Sequence, residues 1–425
     1  MPRNQGHMTN IENVDRILLL ESDESQRQAI ASESSSCLPN LLCPTPQSEL
    51  LRQVIDAAAR VVLVDEGLSG NAAYDLLADI RADDALKDTR VVILTSDNPD
   101  VARSKAFAAG ADEVLTKPYD LEQVLAVMKT IDRFHITFWG ARGTLPLAGE
   151  NSLKYGGNTS CLGLNIGRDR HFIFDAGTGL RKYSRHLLEK QGGKFNGRVF
   201  ITHPHWDHLN CLPFFTPFFI PGNRISLMGP PQGERSFRNL IDGQMDGIYF
   251  PVTVNAFGAD VTYGDMLDGQ HQFDGISLQA FHLSHPGYCL GYRIDHFGRS
   301  VAYITDNELG NISPDSDFVE RLSHFLQGVD LLIHDTAYFD HEYPAKINWG
   351  HSSVSPVVRL AHAAKVGKLF LFHHDPEHGD KDLDLKLEKA IALADELGAE
   401  FECLNACEGD TWDVLKGEKI SASLS

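Results

Sequence analysis

Short apolar runs alternate with amphipathic segments along the first third of the chain. The runs RILLLES, ARVVLVDE and TRVVILTS are β-branched and leucine-rich, which predicts strands buried on both faces, and DEVLT predicts a weaker strand. Between them, NAAYDLLADIRADDAL and VARSKAFAAG space their apolar residues at i, i+3 and i+4, as amphipathic helices do. This alternation predicts βαβ units and a parallel sheet covered by helices over residues about 14–131.

A second pattern begins near residue 134 and continues to residue 425. It contains seven apolar runs that predict strands: SCLGLNI, HFIFDAG, RVFITH, ISLQAFHL, SVAYITD, DLLIHD and KLFLFHH. Helical spacing recurs in GLRKYSRHLLEK, DFVERLSHFLQ, SSVSPVVRLAHAA and LDLKLEKAIALADEL. Strands flanked by helices in this way predict a layered α/β domain with two sheets inside and helices outside. A length of 425 residues suits two such domains.

Composition and charge narrow the classes of protein. The chain has 38 basic and 58 acidic residues, a net charge of -20, of which 13 and 22 lie before residue 135. Neither part is a basic platform, so a nucleic-acid polymer is not the expected partner. No apolar run approaches the roughly 18 residues of a membrane span, and the start MPRNQGHMTN lacks a leader's apolar region. Seven scattered cysteines without a CxxC pair indicate reduced thiols, so a cytoplasmic protein without membrane attachment is expected.

Polar side chains follow the predicted strands of the first domain, where the chemistry of a parallel sheet is found. They are Glu21, Ser22 and Asp23 after the first strand, then Asp65, Thr95 and Lys117 at later strand ends. The separations of 43 residues from Ser22 to Asp65, 30 to Thr95 and 22 to Lys117, together with AAGADEVLTKP, resemble response-regulator receiver domains.

That resemblance covers about 120 residues and implies a flavodoxin-like, doubly wound sheet. It implies Asp65 as phosphoacceptor, Thr95 and Lys117 as phosphoryl contacts, and Mg²⁺ held by acidic residues, the pocket including Glu21 and Asp23. A cognate histidine kinase would be the partner. A hard cation prefers carboxylate oxygens, and a lysine can pair with the new phosphoryl charge.

Two departures from the receiver pattern leave an alternative open. The family has a second acid where Ser22 stands, and an aromatic residue at the position of Val114. The alternative is a receiver-shaped domain that is not phosphorylated and only mediates contacts.

Histidine is concentrated in the second domain, which holds 18 of the 19 in the chain. The run RVFITHPHWDHLN places His203, His205, Asp207 and His208 within six residues, directly after a predicted strand. Alternate residues of an extended segment share a face, so His203 and His205 can reach one metal ion. The turn that follows lets Asp207 and His208 approach a second position. Imidazole and carboxylate groups suit Zn²⁺ and similar divalent ions.

The HPHWDH run resembles the HxHxDH motif of the metallo-β-lactamase fold, and four further segments, one before it and three after it, match in the family's order. FDAGTGL supplies Asp175 as a structural carboxylate, HLSHPG supplies His285, YITDNE supplies Asp306 and KLFLFHHDP supplies His373. The resemblance spans residues 135 to about 415 and implies an αββα sandwich. It implies one metal on His203, His205 and His285, a second on Asp207, His208 and His373, and Asp306 as the bridge.

Two neighbouring histidines are given other roles by the same resemblance. His374 is an alternative last ligand, but His373 ends the apolar strand directly and fits better. His282 precedes the matching position and is expected in the core or behind the ligands.

The run IHDTAY…GHSS…KLFLFHH resembles the phosphodiesterase branch of the superfamily, which includes ribonuclease Z, PhnP-type enzymes and cyclic-nucleotide phosphodiesterases. It implies that His351, paired with Asp335, assists the leaving group, and that Asp207 belongs to the catalytic set. Two bound cations would lower the pKa of a bridging water to give hydroxide. In the alternative reading of His351, it only precedes a helix that Ser352 or Ser353 caps.

A receiver-regulated phosphodiesterase acting on a small phosphodiester, such as a cyclic nucleotide, is the leading hypothesis. Zn²⁺ is the expected metal, with Mn²⁺ and iron as alternatives, and the oligomeric state is left open. One competing hypothesis is hydrolysis of a thioester, lactone or other ester on the same metals. Another is a non-catalytic metal or oxygen sensor in two-component signalling.

Overall fold

The computed structural model describes residues 16–35 and 37–420, except for the side chain of Asp100. The chain divides into two compact units: the first runs to Arg133 and also takes in Phe273–Gly275, and the second contains Phe134–Gln272 and the chain from Ile276 onward. Among the helices of the described residues, none is both long and apolar enough to cross a lipid bilayer.

The first unit is a five-stranded sheet in the order β2-β1-β3-β4-β5, with every neighbouring pair parallel. Its strands are β1 (Ile17–Leu20), β2 (Leu41–Leu42), β3 (Val61–Asp65), β4 (Arg90–Thr95) and β5 (Glu113–Thr116). Its helices are α1 (Glu24–Ser34), α2 (Leu50–Ala57), α3 (Ala72–Ala82), α4 (Pro99–Ala108) and α5 (Leu121–Met128). The strands β1, β3 and β4 are buried along their whole length, as their unbroken apolar runs predict.

Local capping explains where two of these helices begin. Asp120 precedes α5 and forms a capping box with Gln123, so two backbone N–H groups of the first turn are satisfied. Asp23 caps α1 in the same position, accepting from the backbone of Ser25 and Gln26. The helix α1 is mostly polar, and its weak apolar spacing explains why periodicity did not predict it.

The second unit contains two mixed sheets. The strands of the first are β6 (Phe134–Gly140), β7 (Cys161–Ile166), β8 (Arg170–Phe174), β9 (Asn196–Phe200), β10 (Arg224–Gly229), β11 (Asp260–Asp265), β19 (Thr411–Asp413) and β20 (Glu418–Ile420). Those of the second are β12 (Gly269–Phe273), β13 (Ile276–His282), β14 (Leu290–His296), β15 (Arg299–Ile304), β16 (Leu331–Asp335), β17 (Lys368–Phe372) and β18 (Glu402–Asn405). The orders are β11-β10-β9-β8-β7-β6-β19-β20 and β12-β13-β14-β15-β16-β17-β18.

Aromatic side chains join the two sheets face to face. Phe138 of β6 lies 5.3 Å from Phe370 of β17, measured between ring centroids, and Phe174 of β8 lies 6.0 Å from Tyr303 of β15. The helices of this unit are α6 (Gly179–Gln191), α7 (Trp206–Leu209), α8 (Phe237–Gln244), α9 (Asp317–Phe325), α10 (Val354–Ala363) and α11 (Asp380–Glu396). Apolar faces of α6 and α8 pack on the first sheet, and those of α9, α10 and α11 pack on the second.

The predicted fold class, a parallel-sheet unit followed by an αββα sandwich, is therefore confirmed. The seven strands predicted for the second unit are present. Strands such as β10, β11 and β12 were not predicted, because their partly exposed residues do not form an unbroken apolar run.

Candidate functional site

The strand ends of the second unit bring seven of its predicted site residues into two adjoining groups. The segment that follows β9 of one sheet, and those that follow β13, β15 and β17 of the other, supply the side chains. One group is His203, His205, His285 and Asp306, and the other is Asp207, His208, Asp306 and His373. Within each group the potential ligand atoms all lie within 4.8 Å of one another, and Asp306 belongs to both.

The first group is rich in imidazole. His205 Nδ1 lies 2.9 Å from His203 Nε2 and 3.1 Å from His285 Nε2, and His203 Nε2 lies 3.5 Å from Asp306 Oδ2. Burial lowers the pKa of all three histidines. They are therefore neutral near pH 7, which is the form of imidazole that binds a metal.

The second group is rich in carboxylate. His208 Nε2 lies 3.1 Å from both Asp207 Oδ2 and Asp306 Oδ1, and His373 Nε2 lies 3.2 and 3.1 Å from the same two oxygens. Burial raises the pKa of Asp207, but the nearby His208 lowers this pKa by more, so the carboxyl group is ionised. Two carboxylates thus meet in a buried place, which requires a compensating positive charge.

Both groups fit divalent cations. His208 Nε2 is buried and, among the described residues, has no hydrogen-bond partner, although it faces two carboxylate oxygens. Neighbouring donor atoms around one ion, each held 2.0–2.2 Å from it, lie about 3–3.5 Å apart. The four separations given for the second group fall in that range. Nitrogen and oxygen donors suit zinc, manganese and iron alike, so the donor set does not select one of them.

Asp175 orients the ligand His208 from behind. Its carboxylate is fully buried, and Oδ2 accepts a hydrogen bond of 2.8 Å from His208 Nδ1, which turns Nε2 toward the second group. The same carboxylate accepts from Thr202 N at 2.8 Å and from the Tyr303 hydroxyl at 2.9 Å. The structural role predicted for Asp175 agrees with this position, and Tyr303 is a supporting residue that the sequence did not reveal.

The backbone turns sharply at the strand ends that carry these side chains. Asp175, Asp306 and His373 all adopt positive φ, at 62°, 49° and 56°. Residues other than glycine rarely adopt this conformation. It persists where the surrounding structure holds the backbone in place, and such positions cluster at functional sites. Gly143 packs so closely that a Cβ atom there would lie 2.1 Å from His373 Nδ1.

His351 and Asp335 form a pair beside the second group. His351 Nδ1 lies 2.8 Å from Asp335 Oδ2, and the His351 ring stacks on the His373 ring with centroids 4.7 Å apart. Burial lowers the pKa of His351, but the Asp335 carboxylate raises it more, to about 9. His351 is therefore positioned to donate a proton.

His351 lies just ahead of α10, as its alternative reading expects, but the serine capping bond of that reading is not formed. Ser353 stands at the N-cap of α10, but its side chain makes no capping hydrogen bond. The hydroxyl of Ser352 instead donates to the carbonyl of Asn307.

Glu308 is a further buried acid that sequence reasoning missed. Its carboxylate accepts from Tyr343 Oη at 2.5 Å and from the backbone N–H groups of Asn348 and Gly350, both at 2.8 Å. The carbonyl of Gly350 lies 2.9 Å from Nδ1 of the ligand His285. Glu308 therefore fixes the loop that orients His285 and leads into His351.

The other two histidines considered as site residues lie outside the groups. His374 is fully buried, but its Nε2 faces the Ala406 carbonyl at 3.1 Å. His282 is exposed, with its ring centroid 4.6 Å from that of Tyr288, so it does not lie in the core.

In the first unit, Asp65 lies in a compact polar pocket. Lys117 Nζ lies 2.7 Å from Asp65 Oδ1 and 2.6 Å from Glu21 Oε1, and the Ser22 hydroxyl donates to Asp65 Oδ2. Burial raises the pKa of Asp65, but hydrogen bonds led by Lys117 and Ser22 lower it to about 2. Asp65 is thus an ionised carboxylate next to a cation. Tyr119, which donates to Glu21 at 2.8 Å, was not predicted as part of the pocket.

The remaining pocket residues are engaged locally. Asp23 Oδ1 accepts from the backbone of Ser25 and Gln26 at the start of α1, so one of its oxygens is already used. Thr95 is buried at the end of β4, and its hydroxyl accepts from the backbone of Asp97 at 3.0 Å. No hydrogen bond joins either side chain to Asp65 among the contacts of the described residues.

Comparison with known proteins assigns a family to each unit. Residues 17–129 match the response regulator receiver domain, and residues 170–374 match the beta-lactamase superfamily domain. The chain is 23% identical over 292 residues to ribonuclease Z of Brevibacillus brevis, covering 57% of this chain and 91% of the relative. It is 26% identical over 314 residues to ribonuclease Z of Archaeoglobus fulgidus, covering 60% and 92%. A solved diphosphatase of the PhnP family is similar, with a TM-score of 0.47 and 18% identity over 68% of this chain and 98% of that one.

Proposed function

We propose that this protein, in which a response regulator receiver domain precedes a metal-dependent hydrolase domain of metallo-β-lactamase fold, is a phosphodiesterase under receiver control. One observation carries the proposal most directly. The two ligand groups share Asp306, and the His351–Asp335 pair lies against the second group. Ligands for two cations and a proton donor thus adjoin one another.

The two ligand groups would hold the two cations needed for hydrolysis. His203, His205 and His285 would hold one divalent cation, and Asp207, His208 and His373 a second, with Asp306 shared. Bound there, two cations would supply an acidified water and positive charge for a phosphoryl oxygen.

His351 acts on the leaving side of the reaction. The oxygen of water forms a bond to phosphorus, the bond from phosphorus to the leaving oxygen breaks, and His351 protonates that oxygen. Asp335 accepts from His351 Nδ1, which leaves Nε2 as the atom that delivers the proton. The Asp335 carboxylate is held in turn by the backbone N–H of Ala337 at 2.9 Å.

Charge favours a small diester over RNA as substrate. The chain from residue 135 onward carries 25 basic and 36 acidic residues. A polyanion requires several lysine and arginine contacts, whereas a small diester requires the cations and one or two basic side chains. Because the relatives named above are ribonucleases, a structured RNA belongs in the test as the opposing candidate.

The test is a substrate panel on the chelator-treated full chain reloaded with Zn²⁺ or Mn²⁺. The panel contains bis(p-nitrophenyl) phosphate, cyclic nucleotides, a dinucleotide, a precursor tRNA, a thioester and a lactone. We expect diester hydrolysis that Asp207→Ala abolishes. We expect His351→Ala to lower the rate on the dinucleotide about 100-fold or more, since general acids contribute that much. Its effect on the nitrophenyl ester should be small, because nitrophenolate leaves without a proton. Activity on the thioester or lactone alone would overturn the proposal.

Receiver control rests on Asp65. Its ionised carboxylate would take the phosphoryl group of a kinase phosphohistidine, or of acetyl phosphate with release of acetate, while Lys117 pairs with the added charge. Mg²⁺ would be held by carboxylates of the pocket, including Glu21 and Asp23. Acetyl phosphate with Mg²⁺ should add one phosphoryl group, Asp65→Asn should prevent it, and the phosphorylated chain should hydrolyse the diester at a changed rate. Labelling without any change in rate would refute the regulation.

A further inference from the structure

A cation and two aromatic rings lie beside the proposed proton donor. The Tyr338 ring is 5.9 Å from the His351 ring, and the Lys346 ammonium is 5.4 Å from the centroid of Tyr338 and 4.3 Å from that of Trp349. We refer to Tyr338, Lys346 and Trp349 as the aromatic cluster. It adjoins His351, the residue to which the proposed reaction assigns protonation of the leaving oxygen.

The loop that carries the aromatic cluster is held in place from within. Glu308 accepts from the hydroxyl of Tyr343 and from the backbone of Asn348 and Gly350, so the segment containing Lys346 and Trp349 is fastened at both ends. Gly350 has a φ of 87°, and a Cβ atom there would lie 2.1 Å from His285 Nδ1. A loop fixed in this way presents its side chains without a large ordering cost on binding.

The aromatic cluster exposes one tryptophan side chain. Of the four tryptophans, Trp139 and Trp412 are buried, at 4% and 8% exposure, whereas Trp349 and Trp206 are 58% and 85% exposed. Of these two, among the contacts of the described residues, only Trp349 lies beside a lysine ammonium, which also contacts the ring next to His351. Tyr338, at 4% exposure, forms a floor beneath the Lys346 ammonium. In the described part of the chain no carboxylate lies within 4.0 Å of that ammonium, so its charge is available to an anion in an acidic domain.

We infer that the aromatic cluster is the subsite for the leaving group and takes a nucleobase joined to an anionic group, that is, a nucleotide. A base stacks on the open face of Trp349, and Lys346 pairs with a phosphate or phosphodiester oxygen of the same ligand. This inference rests on the proposed phosphodiesterase function and names the class of leaving group. The cyclic nucleotides and the dinucleotide of the substrate panel would then bind the same surface.

The kinetic test compares two diesters that differ only in the leaving alcohol. Adenylyl-(3′→5′)-adenosine releases adenosine, and adenosine 3′-(methyl phosphate) releases methanol. We expect Trp349→Ala to raise KM for the dinucleotide about 5- to 150-fold, the range for loss of one stacked base, with little change in kcat. Its effect on the methyl ester should be within twofold. Trp349→Phe should restore most of the loss, and Tyr249→Ala, which removes another exposed ring, serves as the control.

A binding measurement on the full chain separates this inference from the proposed function. Equilibrium dialysis of labelled AMP and adenosine is carried out on chelator-treated protein, so that metal–phosphate contacts do not contribute. We expect Trp349→Ala to weaken both ligands, and Lys346→Gln to weaken AMP to the level of adenosine. Lys419→Gln, at a lysine already paired with Asp410, should change neither.

The outcomes are distinguishable. If no diester is hydrolysed but AMP binding depends on Trp349 and Lys346, the proposed function and the leaving-group role both fail, and only nucleotide binding by the aromatic cluster stands. If diesters are hydrolysed while Trp349→Ala binds AMP as the wild type does and treats both diesters alike, the subsite is wrong.

Discussion

Replacing Asp175 by asparagine tests whether the metal centre depends on one buried proton. The carboxylate accepts through both oxygens: Oδ1 from Thr202 N at 2.8 Å, and Oδ2 from His208 Nδ1 at 2.8 Å and from Tyr303 Oη at 2.9 Å. Asparagine has nearly the same shape but only one accepting oxygen, and its nitrogen donates. One of the two sets of donors must therefore lose its acceptor.

The two possible orientations of the amide have different consequences. If its nitrogen faces Thr202 N, a buried backbone N–H loses its partner, which costs about 1–3 kcal/mol of folding free energy. If its nitrogen faces His208, the imidazole can adopt the other tautomer, with Nδ1 accepting and the proton on Nε2, while the Tyr303 hydroxyl rotates. The second arrangement leaves only the Tyr303 O–H without its acceptor, while the new proton on His208 Nε2 gains the carboxylates of Asp207 and Asp306 as acceptors, so we expect the variant to adopt it.

A proton on His208 Nε2 blocks the atom that faces Asp207 and Asp306. Substitutions of such supporting groups weaken metal binding about 10- to 100-fold, and we expect that range for Asp175→Asn at the second group. The measurement is competition for Zn²⁺ with a chromophoric chelator, combined with urea unfolding of the metal-free protein. Asp395→Asn, at an exposed position of α11, is the control for the change in charge.

Zinc affinity and the stability of the metal-free variant are both needed to decide which orientation the amide adopts. We expect weakened binding of one zinc ion together with a loss of less than about 1 kcal/mol in the metal-free protein, because the acceptor lost by the Tyr303 O–H is offset by the new bond from His208 Nε2–H to a carboxylate. Two zinc ions bound with wild-type affinity, accompanied by a stability loss of about 1–3 kcal/mol, would show that the amide faces Thr202 and that the tautomer argument is wrong.

Three further predictions follow from other buried contacts. Burial lowers the pKa of Lys386 to about 8, so between pH 8 and 10.5 the unfolded state binds more protons and stability rises with pH. The unfolding free energy of the wild type relative to Lys386→Met, measured in urea, should increase by about 2 kcal/mol from pH 7 to 9.5, and a flat difference would contradict this. Gly143→Ala should displace the His373 ring and reduce the bound metal from two ions to one by elemental analysis, whereas retention of two would contradict the close packing. Glu308→Gln places an amide nitrogen against a backbone N–H, so the unfolding free energy should fall by about 1–3 kcal/mol. The affinity for the zinc ion that His285 would bind should fall as well, because the same loop holds His285. An unchanged zinc affinity would show that the loop does not orient this ligand.

The HPHWDH run could be recognised from its own residues, because four side chains that can bind a metal follow one apolar strand within six positions. His285, Asp306 and His373, and the supporting Asp175, were predicted from the resemblance to the metallo-β-lactamase fold and not from periodicity. The structure adds that Asp175, Asp306 and His373 turn through positive φ, which no composition or periodicity reveals.

The supporting residues could not be predicted in the same way. Tyr303 lies inside an apolar strand, and only its approach to Asp175, 128 positions earlier in the chain, shows that its hydroxyl has a partner. Glu308 reads as an ordinary polar loop residue, because its three donors come from a segment 35–42 positions later. Such contacts depend on how the two sheets and their loops are packed, and that information is not local.

Chemistry and substrate choice lie on different parts of this unit. The ligands stand on strand ends of two packed sheets, where a displacement would disturb the core, so their geometry is resistant to change. Lys346 and Trp349 instead stand on the loop between β16 and α10, which one buried carboxylate holds in place. Substitutions on that loop can alter which leaving group is accepted while the ligand set stays intact. Loss of Trp349 and loss of His203 should therefore differ in kind: the first changes the preference among diesters, and the second removes hydrolysis of all of them.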